Sequence, residues 1–218
     1  MNKIKKKEVI IFSLVILAIF ASLYFDIQIV KGVSVIRNNT LDDFFIGITF
    51  VSSGIIIFFV LTSLFLWKEN KRRWILPLWT SLALSVIVGL LLKITVQRLR
   101  PYQLDILGIV SVLPVLQEVV HSTWNFSFPS FQAMLAFCAI PILAKEFPKL
   151  KYVWIAFAVL IAFSRIYFGV HFLSDVIAGG LIGYILGMIM VKTETECKFG
   201  EKISDKVFTG MKKMVKRR

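Results

Sequence analysis

Five ionisable residues lie within or beside apolar stretches, and their types suit chemistry on a phosphate group. His171 and Asp175 are four positions apart, so on a helix they share one face. A carboxylate there can accept the Nδ1 proton of the imidazole and leave Nε2 as a nucleophile. Lys93, Arg100 and Arg165 supply positive charge and guanidinium groups that match phosphate oxygens. The set predicts phosphoryl transfer by positioning and charge neutralisation.

Each of these residues also has an ordinary structural interpretation. A lysine can extend to the membrane interface, and an arginine can anchor a helix end at the headgroups. Ser130, which follows Pro129, suits a helix N-terminus, where serine is a favoured cap and backbone N–H groups can bind an anion. Ionisable groups in apolar segments are costly and usually functional, so the joint spacing favours a site. Asp175 is the only carboxylate of the set, and we therefore expect no metal and no cofactor.

The composition predicts a membrane protein. Of the 218 residues, 57% are hydrophobic and the mean hydropathy is +0.79, whereas soluble domains have about 45–50% apolar residues. The net charge of +13 lies between and after the apolar runs, which indicates an anionic membrane surface rather than nucleic acid as the partner. Cys138 lies in an apolar run and Cys197 in the basic tail, so we expect no disulfide.

Six apolar runs are long enough to suggest an all-α bundle of about six transmembrane helices. The predicted runs are residues 8–25, 44–67, 74–97, 128–147, 151–168 and 170–191. The first run follows four lysines, as in a signal peptide, but no small-x-small cleavage site precedes Asp26, so we expect a retained anchor. We expect one domain over residues 1–192 and a basic tail over 193–218.

Lysine and arginine are concentrated in segments that six spans would place on one side, which the positive-inside rule assigns to the cytoplasm. Both termini would then be cytoplasmic in a plasma membrane protein. Segments 26–43 and 98–127 and the connection near residue 169 would face outward, together with the predicted site. The tail suits either an amphipathic helix on anionic inner-leaflet lipids or a solvated, frayed end. The apolar stretch 106–120 suits either an interfacial helix or a flexible lid.

The motifs resemble those of the type 2 phosphatidic acid phosphatase and haloperoxidase superfamily from about residue 44 to 191. Lys93, six residues and then Arg100-Pro101 resemble the first motif. Phe128-Pro129-Ser130 stands where the second motif, Pro-Ser-Gly-His, is expected. Ser164-Arg165, five residues, His171, three residues and Asp175 resemble the third motif.

The resemblance implies a role for each matched residue. His171 would attack phosphorus to form a phosphohistidine, Asp175 would orient it, and Ser130 would hydrogen-bond to the phosphate. Water would hydrolyse the intermediate without a metal. Six-span members of the family act on lipids such as phosphatidate, phosphatidylglycerophosphate or polyprenyl diphosphate. The residues that would hold the phosphate are Lys93, Arg100 and Arg165.

The second motif departs from the family pattern at two positions. Phe131 replaces a glycine, and Gln132 replaces the histidine that protonates the leaving group. Glutamine cannot give up a proton near pH 7, and loss of a general acid typically lowers the rate by about 10²–10⁴. The protein would then be a slow phosphatase, a protein that binds lipid phosphates without hydrolysis, or an enzyme for substrates with good leaving groups. A diphosphate fits the last case because its leaving group is a stable phosphate anion.

His121, in the predicted outer loop, could act as a substitute acid, although we favour an ordinary exposed loop histidine. A transporter is the least favoured class, because the charges cluster at one interface and no internal repeat is visible. The pairing of His171 with Asp175 favours an enzyme over a binding protein, since binding alone gives no evident need for a nucleophile.

Overall fold

The computed structural model describes residues 3–67, 69–104 and 125–215, and these fold into eight α-helices and three short 3₁₀ turns without any strand. The predicted all-α class is confirmed. The 3₁₀ turns are Glu69–Trp74, Pro101–Leu104 and Pro148–Leu150. The helices are α1 (Lys3–Val35), α2 (Asn39–Val51), α3 (Gly54–Leu66), α4 (Ile75–Val96), α5 (Phe131–Glu146), α6 (Lys151–Tyr167), α7 (Leu173–Cys197) and α8 (Phe199–Val215).

Four segments of this part of the chain are long and apolar enough to cross a bilayer, and a fifth is added if α2 and α3 count as one bent span. The predicted fourth run, 128–147, forms the 16-residue α5, shorter than the roughly 20 residues that a span requires. Length and composition therefore identify four or five of the six predicted spans, and the all-α membrane bundle is confirmed. The four segments are Ile16–Val35, Glu69–Leu104, Pro148–Tyr167 and Leu173–Cys197.

The first two predicted runs have different boundaries in the structure. Helix α1 continues to Val35, with its apolar window at Ile16–Val35, so most of the predicted outer segment 26–43 is helical. The predicted run 44–67 is broken into α2 and α3, which meet at an angle of 62°. Ser53 caps α3 by accepting a hydrogen bond from the N–H of Ile56 at 3.4 Å. Serine side chains compete with the helical hydrogen-bond pattern, which explains a break that hydropathy alone does not reveal.

Helix α5 lies at the centre of the bundle and packs most closely against α7. Three glycines of α7, four residues apart, face α5. A Cβ at Gly183 would lie 2.2 Å from the Met134 carbonyl oxygen, and one at Gly187 would lie 2.2 Å from that of Cys138. Only glycine permits this approach, as in the small-residue interfaces of membrane helices. The approach brings the start of α5 next to the first two turns of α7, where a Cβ at Gly179 would lie 2.7 Å from the Ser130 carbonyl oxygen.

Helix α7 extends to Cys197, past residue 192 where the predicted membrane domain ends. Lys198 adopts a left-handed conformation with φ 51°, and α8 follows. The Glu194 side chain accepts hydrogen bonds from the N–H groups of Gly200 at 2.7 Å and Glu201 at 3.0 Å, which attaches α8 to the bundle. The tail is therefore helical through Val215 rather than frayed, while its position on a lipid surface stays a prediction.

Two further predictions concern single residues and the outer loop. Cys138 is buried and Cys197 is exposed, and both are free, as expected. The apolar stretch 106–120 and His121 lie outside the described residues, so the choice between an interfacial helix and a lid, and the role of His121, stay predictions.

Candidate active site

His171 lies in the short connection between α6 and α7, and Asp175 lies in the first turn of α7. Gly169 has φ 63°, a left-handed conformation that lets the chain reverse after α6. His171 Nδ1 is 3.7 Å from Asp175 Oδ2, and it has no hydrogen-bond partner within the described ranges. Oδ2 instead accepts a hydrogen bond from the N–H of Phe172 at 2.9 Å. His171 and Asp175 lie on the same face, as their spacing predicts. Hydrogen bonds between catalytic groups are often long without substrate and shorten when it binds.

The imidazole of His171 is neutral at physiological pH. Burial lowers its pKa from 6.5 to about 3 because the charged form is removed from water. The charge of Asp175 opposes this shift, whereas the positive charges of Arg100 and Lys93 increase it. A neutral imidazole has the free nitrogen lone pair that a nucleophile requires.

Lys93 and Arg100 converge on the segment that precedes α5. Lys93 is only 2% exposed, and its Nζ donates to the carbonyl oxygen of Phe126 at 2.5 Å. Arg100 donates from Nε to the carbonyl oxygen of Asn125 at 3.1 Å and from Nη1 to that of Val170 at 3.0 Å. The same Nη1 lies 3.4 Å from His171 Nε2, which places a guanidinium beside the nitrogen that would attack.

Arg165, in the last turn of α6, is 3% exposed. Its Nε and Nη2 donate to Ser164 Oγ at 3.1 and 3.0 Å, and Nη2 also contacts Thr49 Oγ1 on α2. The charge of Arg100 interacts with the charges of both Arg165 and Lys93. None of these three cations forms an ion pair with a carboxylate of the described residues. Buried cations of this kind require a compensating anion.

Ser130 is the N-cap of α5 and is completely buried. Its N–H donates to the carbonyl oxygen of Asp175 at 3.1 Å, which joins the predicted second and third motifs. Its Oγ has no hydrogen-bond partner in the part of the chain that the structure describes. Since buried hydroxyls are normally satisfied, Ser130 Oγ and His171 Nδ1 are groups that a ligand would engage.

The two altered positions follow Ser130 directly. The ring of Phe131 packs against α4 at Gly89, where a Cβ would lie 2.4 Å from Phe131 Cε1. The ring centroid is also 5.1 Å from Lys93 Nζ, within the range of a cation–π contact. Gln132 is half-buried, and its amide makes no hydrogen bond to any described residue.

The sequence analysis missed two charged residues that contact the site. Arg98 donates from Nη1 to Asp175 Oδ1 at 2.7 Å and from Nη2 to Asp26 Oδ2 at 2.7 Å. Asp26 lies just outside the predicted run 8–25, and Arg98 is one of the six residues between Lys93 and Arg100 in the first motif. The available signal for Asp26 is its position: it is a carboxylate within an apolar stretch that continues to Val35.

The fold and the site define an integral membrane protein with a buried group of cations beside a histidine–aspartate pair. The chain belongs to the PAP2 superfamily, whose family model matches residues 74–198. This finding confirms the resemblance that the motifs carry. Asp26 and Thr49 lie outside the matched segment.

Three relatives illustrate the similarity. The chain is 29% identical over 182 residues to phosphatidylglycerophosphatase B of Bacillus subtilis, covering 74% of this chain and 79% of that protein. It is 29% identical over 135 residues to an undecaprenyl-diphosphatase of Sulfolobus acidocaldarius, covering 62% of each. The crystal structure of Aquifex aeolicus LpxE superimposes with a TM-score of 0.63 at 30% identity, covering 77% of this chain and 95% of that one. Membership and these relatives support a lipid phosphate hydrolase.

Proposed function

We propose that the protein hydrolyses a lipid phosphate or diphosphate through a phosphohistidine at His171. The observation that carries this proposal is that Arg100 lies beside His171 Nε2 and interacts electrostatically with Lys93 and Arg165. None of these three cations has a carboxylate partner in the described residues. The phosphate of a lipid headgroup would supply the missing negative charge. The names of the relatives support a lipid rather than a soluble phosphate ester.

In the proposed first step, phosphate oxygens take over the donors that now bind main-chain carbonyls and hydroxyls, and Ser130 Oγ donates a further hydrogen bond. His171 Nε2 forms a bond to phosphorus while the bond from phosphorus to the leaving oxygen breaks. The imidazole becomes cationic, and Asp175 stabilises it by accepting a hydrogen bond from Nδ1–H. The cations stabilise the charge that spreads over the phosphoryl oxygens.

In the proposed second step, water attacks phosphorus and the bond from phosphorus to Nε2 breaks. Inorganic phosphate leaves, the proton of the attacking water is released, and His171 returns to its neutral form. No described residue other than this histidine is required to exchange a covalent bond.

Gln132 supports a bias toward lipid diphosphates. The leaving group of a diphosphate is a phosphate monoester anion, whereas phosphatidate releases an alkoxide that needs a proton. The similarity to an undecaprenyl-diphosphatase supports the same preference. Because the amide of Gln132 cannot supply that proton, phosphatidate would be the slower substrate.

The orientation is also part of the proposal, and it counts the bent pair α2–α3 and the 16-residue α5 as one crossing each. Helix α5 runs from Ser130, beside Asp175, to Glu146, beside Arg73. The lysines and arginines at the termini and in segments 68–73 and 145–151 support a cytoplasmic location for these parts, with the site at the outer face of the plasma membrane. The basic helix α8 would then lie against anionic lipids of the inner leaflet.

A second candidate function is binding of a lipid phosphate without efficient hydrolysis. The placement of Phe131 favours it, because the ring contacts Lys93 and brings an apolar group to a cation of the site. The nucleophile pair has no evident use in such a protein, so we rank this function second.

The experiment compares wild type, His171→Ala and Gln132→His, purified in detergent without added metal. Phosphate release is measured from a polyprenyl diphosphate and from phosphatidate. Release by wild type that disappears in His171→Ala is expected, with the diphosphate as the better substrate. No release by wild type from either lipid, together with recovery in Gln132→His, would favour the binding function.

A further inference from the structure

Asp26 is a buried carboxylate of α1, in a stretch where the adjacent apolar side chains are exposed. It is 2% exposed, whereas its neighbours Phe25 and Ile27 are 50% and 46% exposed. It lies within the apolar window Ile16–Val35. A carboxylate in this position is unfavourable unless it is paired, and such residues usually serve a function.

Both carboxylate oxygens of Asp26 are engaged by residues that also contact Asp175 or adjoin it. Oδ1 accepts a hydrogen bond from the N–H of Ser174 at 3.0 Å. Oδ2 accepts one from Ser174 Oγ at 2.5 Å and one from Arg98 Nη2 at 2.7 Å. Asp26 therefore fixes the first turn of α7 as well as the guanidinium of Arg98.

Arg98 connects the two carboxylates through different nitrogens. Its Nη1 donates to Asp175 Oδ1 at 2.7 Å and to Ser174 Oγ at 2.6 Å, and its guanidinium carbon lies 4.1 Å from the centroid of the Phe172 ring. Asp175 thus uses Oδ1 for Arg98, while Oδ2 faces the main chain of Phe172 and His171 Nδ1.

The sharing of Arg98 has an electrostatic consequence. One guanidinium between two carboxylates does not neutralise both of them, so Asp175 keeps negative charge with which to attract the Nδ1 proton of His171. Without Asp26, the full charge of Arg98 would act on Asp175, and the guanidinium would lose one of the two anchors that fix its position.

We propose that Asp26 is a positioning residue: acting through Arg98 and Ser174, it keeps one oxygen of Asp175 available to orient His171. The proposal rests on the proposed function, in which His171 is the nucleophile. It adds to the site a residue of α1 that lies outside the segment matched by the family model.

The kinetic test uses Asp26→Asn, which preserves shape and removes charge. The control is Ser22→Ala, one turn earlier on the same helix, since Ser22 is buried and bonds only to its own helix. We expect kcat to fall roughly ten-fold to hundred-fold in Asp26→Asn, by analogy with the outer partners that orient metal-binding histidines. KM and inhibition by inorganic phosphate should not change, because Asp26 contacts none of the phosphate-binding cations.

A double-mutant cycle separates positioning from general packing. If Asp26 acts through Asp175, Asp26→Asn should lower kcat no further in a protein that already carries Asp175→Asn. An equal loss in both backgrounds, or an equal loss in Ser22→Ala, would overturn the proposal.

A second readout does not depend on turnover. The chain has two histidines, so a His121→Gln protein carries only His171. Imidazole nitrogen chemical shifts should show the proton on Nδ1, with a larger Nε2–H fraction after Asp26→Asn. An unchanged tautomer would overturn the positioning role even in a protein that turns over no lipid. A changed tautomer in a protein without phosphatase activity would count against the proposed function alone.

Discussion

The two ends of α4 adjoin clusters of polar side chains that are satisfied in different ways. At the start of the helix, Glu146 accepts hydrogen bonds from Arg73 Nη2 at 2.9 Å and from Trp74 Nε1 at 2.5 Å. Lys71 Nζ donates to the main-chain oxygen of Glu146 at 3.0 Å. Glu194 accepts the first N–H groups of α8. At this end Glu146 and Glu194 are both satisfied by donors of the chain itself.

At the other end of α4 the cations exceed the carboxylates among the residues that the structure describes. Asp26 and Asp175 are both engaged by Arg98. Lys93, Arg100 and Arg165 rely on main-chain carbonyls, hydroxyls and the ring of His171. At the start of α4 the carboxylate of Glu146 pairs with Arg73, whereas at the other end three described cations have no carboxylate partner. This difference is what the proposed phosphate site requires, since a bound anion would match the remaining charge.

The largest expected effect is a loss of activity on substitution at the His171 end of α4, with no matching loss at the Glu146 end. Arg100→Ala should lower kcat/KM by about 10²–10³, because it removes a donor next to the attacking nitrogen. Arg73→Ala should leave kcat/KM nearly unchanged and lower the melting temperature instead, since it removes a partner of Glu146. Phosphate release and thermal unfolding in detergent check both variants. Equal kinetic losses would contradict the comparison.

Gln132→His tests whether the missing general acid at position 132 limits turnover. The new imidazole can protonate an alkoxide, so turnover of phosphatidate should rise by about 10², the lower part of the range for a general acid. Turnover of a polyprenyl diphosphate should rise much less. Gln132→Asn is the control, because it changes the side chain without adding a titratable group. A similar gain in the control, or on both substrates, would refute the leaving-group argument.

A third prediction concerns the interface that joins the two ends. Gly183→Ala places a Cβ 2.2 Å from the Met134 carbonyl oxygen, so α5 and α7 must separate. We expect a loss of about 1–3 kcal/mol in unfolding free energy, the range for overpacking. Gly180→Ala is a matched control, because its Cβ would meet only the Phe137 ring at 3.4 Å. Similar melting temperatures for the two variants would argue against the close approach.

The smallest effect is a pH dependence of stability. Because burial lowers the pKa of His171 to about 3 and an unfolded histidine titrates near 6.5, the unfolded state binds the proton more readily between these values. The contribution of neutral His171 is complete above about pH 6.5 and is lost as the pH falls toward 3. Between pH 7 and 5.5, wild type should lose about 1 kcal/mol more than His171→Gln, or roughly 2–4 °C. Parallel melting curves would indicate an exposed imidazole.

The sequence predicted those parts of the molecule that depend on short-range spacing. The four-residue step from His171 to Asp175 and the seven-residue step from Lys93 to Arg100 are local, so the pairing and the end of α4 follow from periodicity and apolar length. The bundle class follows from composition. These inferences do not depend on which helices contact one another.

The parts that sequence reasoning missed depend on contacts between distant segments. Asp26 is 72 positions from Arg98, and only the packing of α1 on α7 brings them together. The break between α2 and α3 depends on serine caps inside an apolar run. The attachment of α8 depends on Glu194, which reads in the sequence as one more charge of a polar tail.

The contact between Phe131 and Gly89 makes two positions on different helices interdependent. Phe131→Gly alone would leave a void against α4, whereas a larger residue at position 89 is excluded while the ring is present. Restoring the family's second motif therefore means substituting a pair of positions, and the order matters: the ring must go before Gly89 can grow. A library that varies the motif but keeps Gly89 would underrate the restored sequence, because each member with glycine at position 131 would carry an unfilled gap at Gly89.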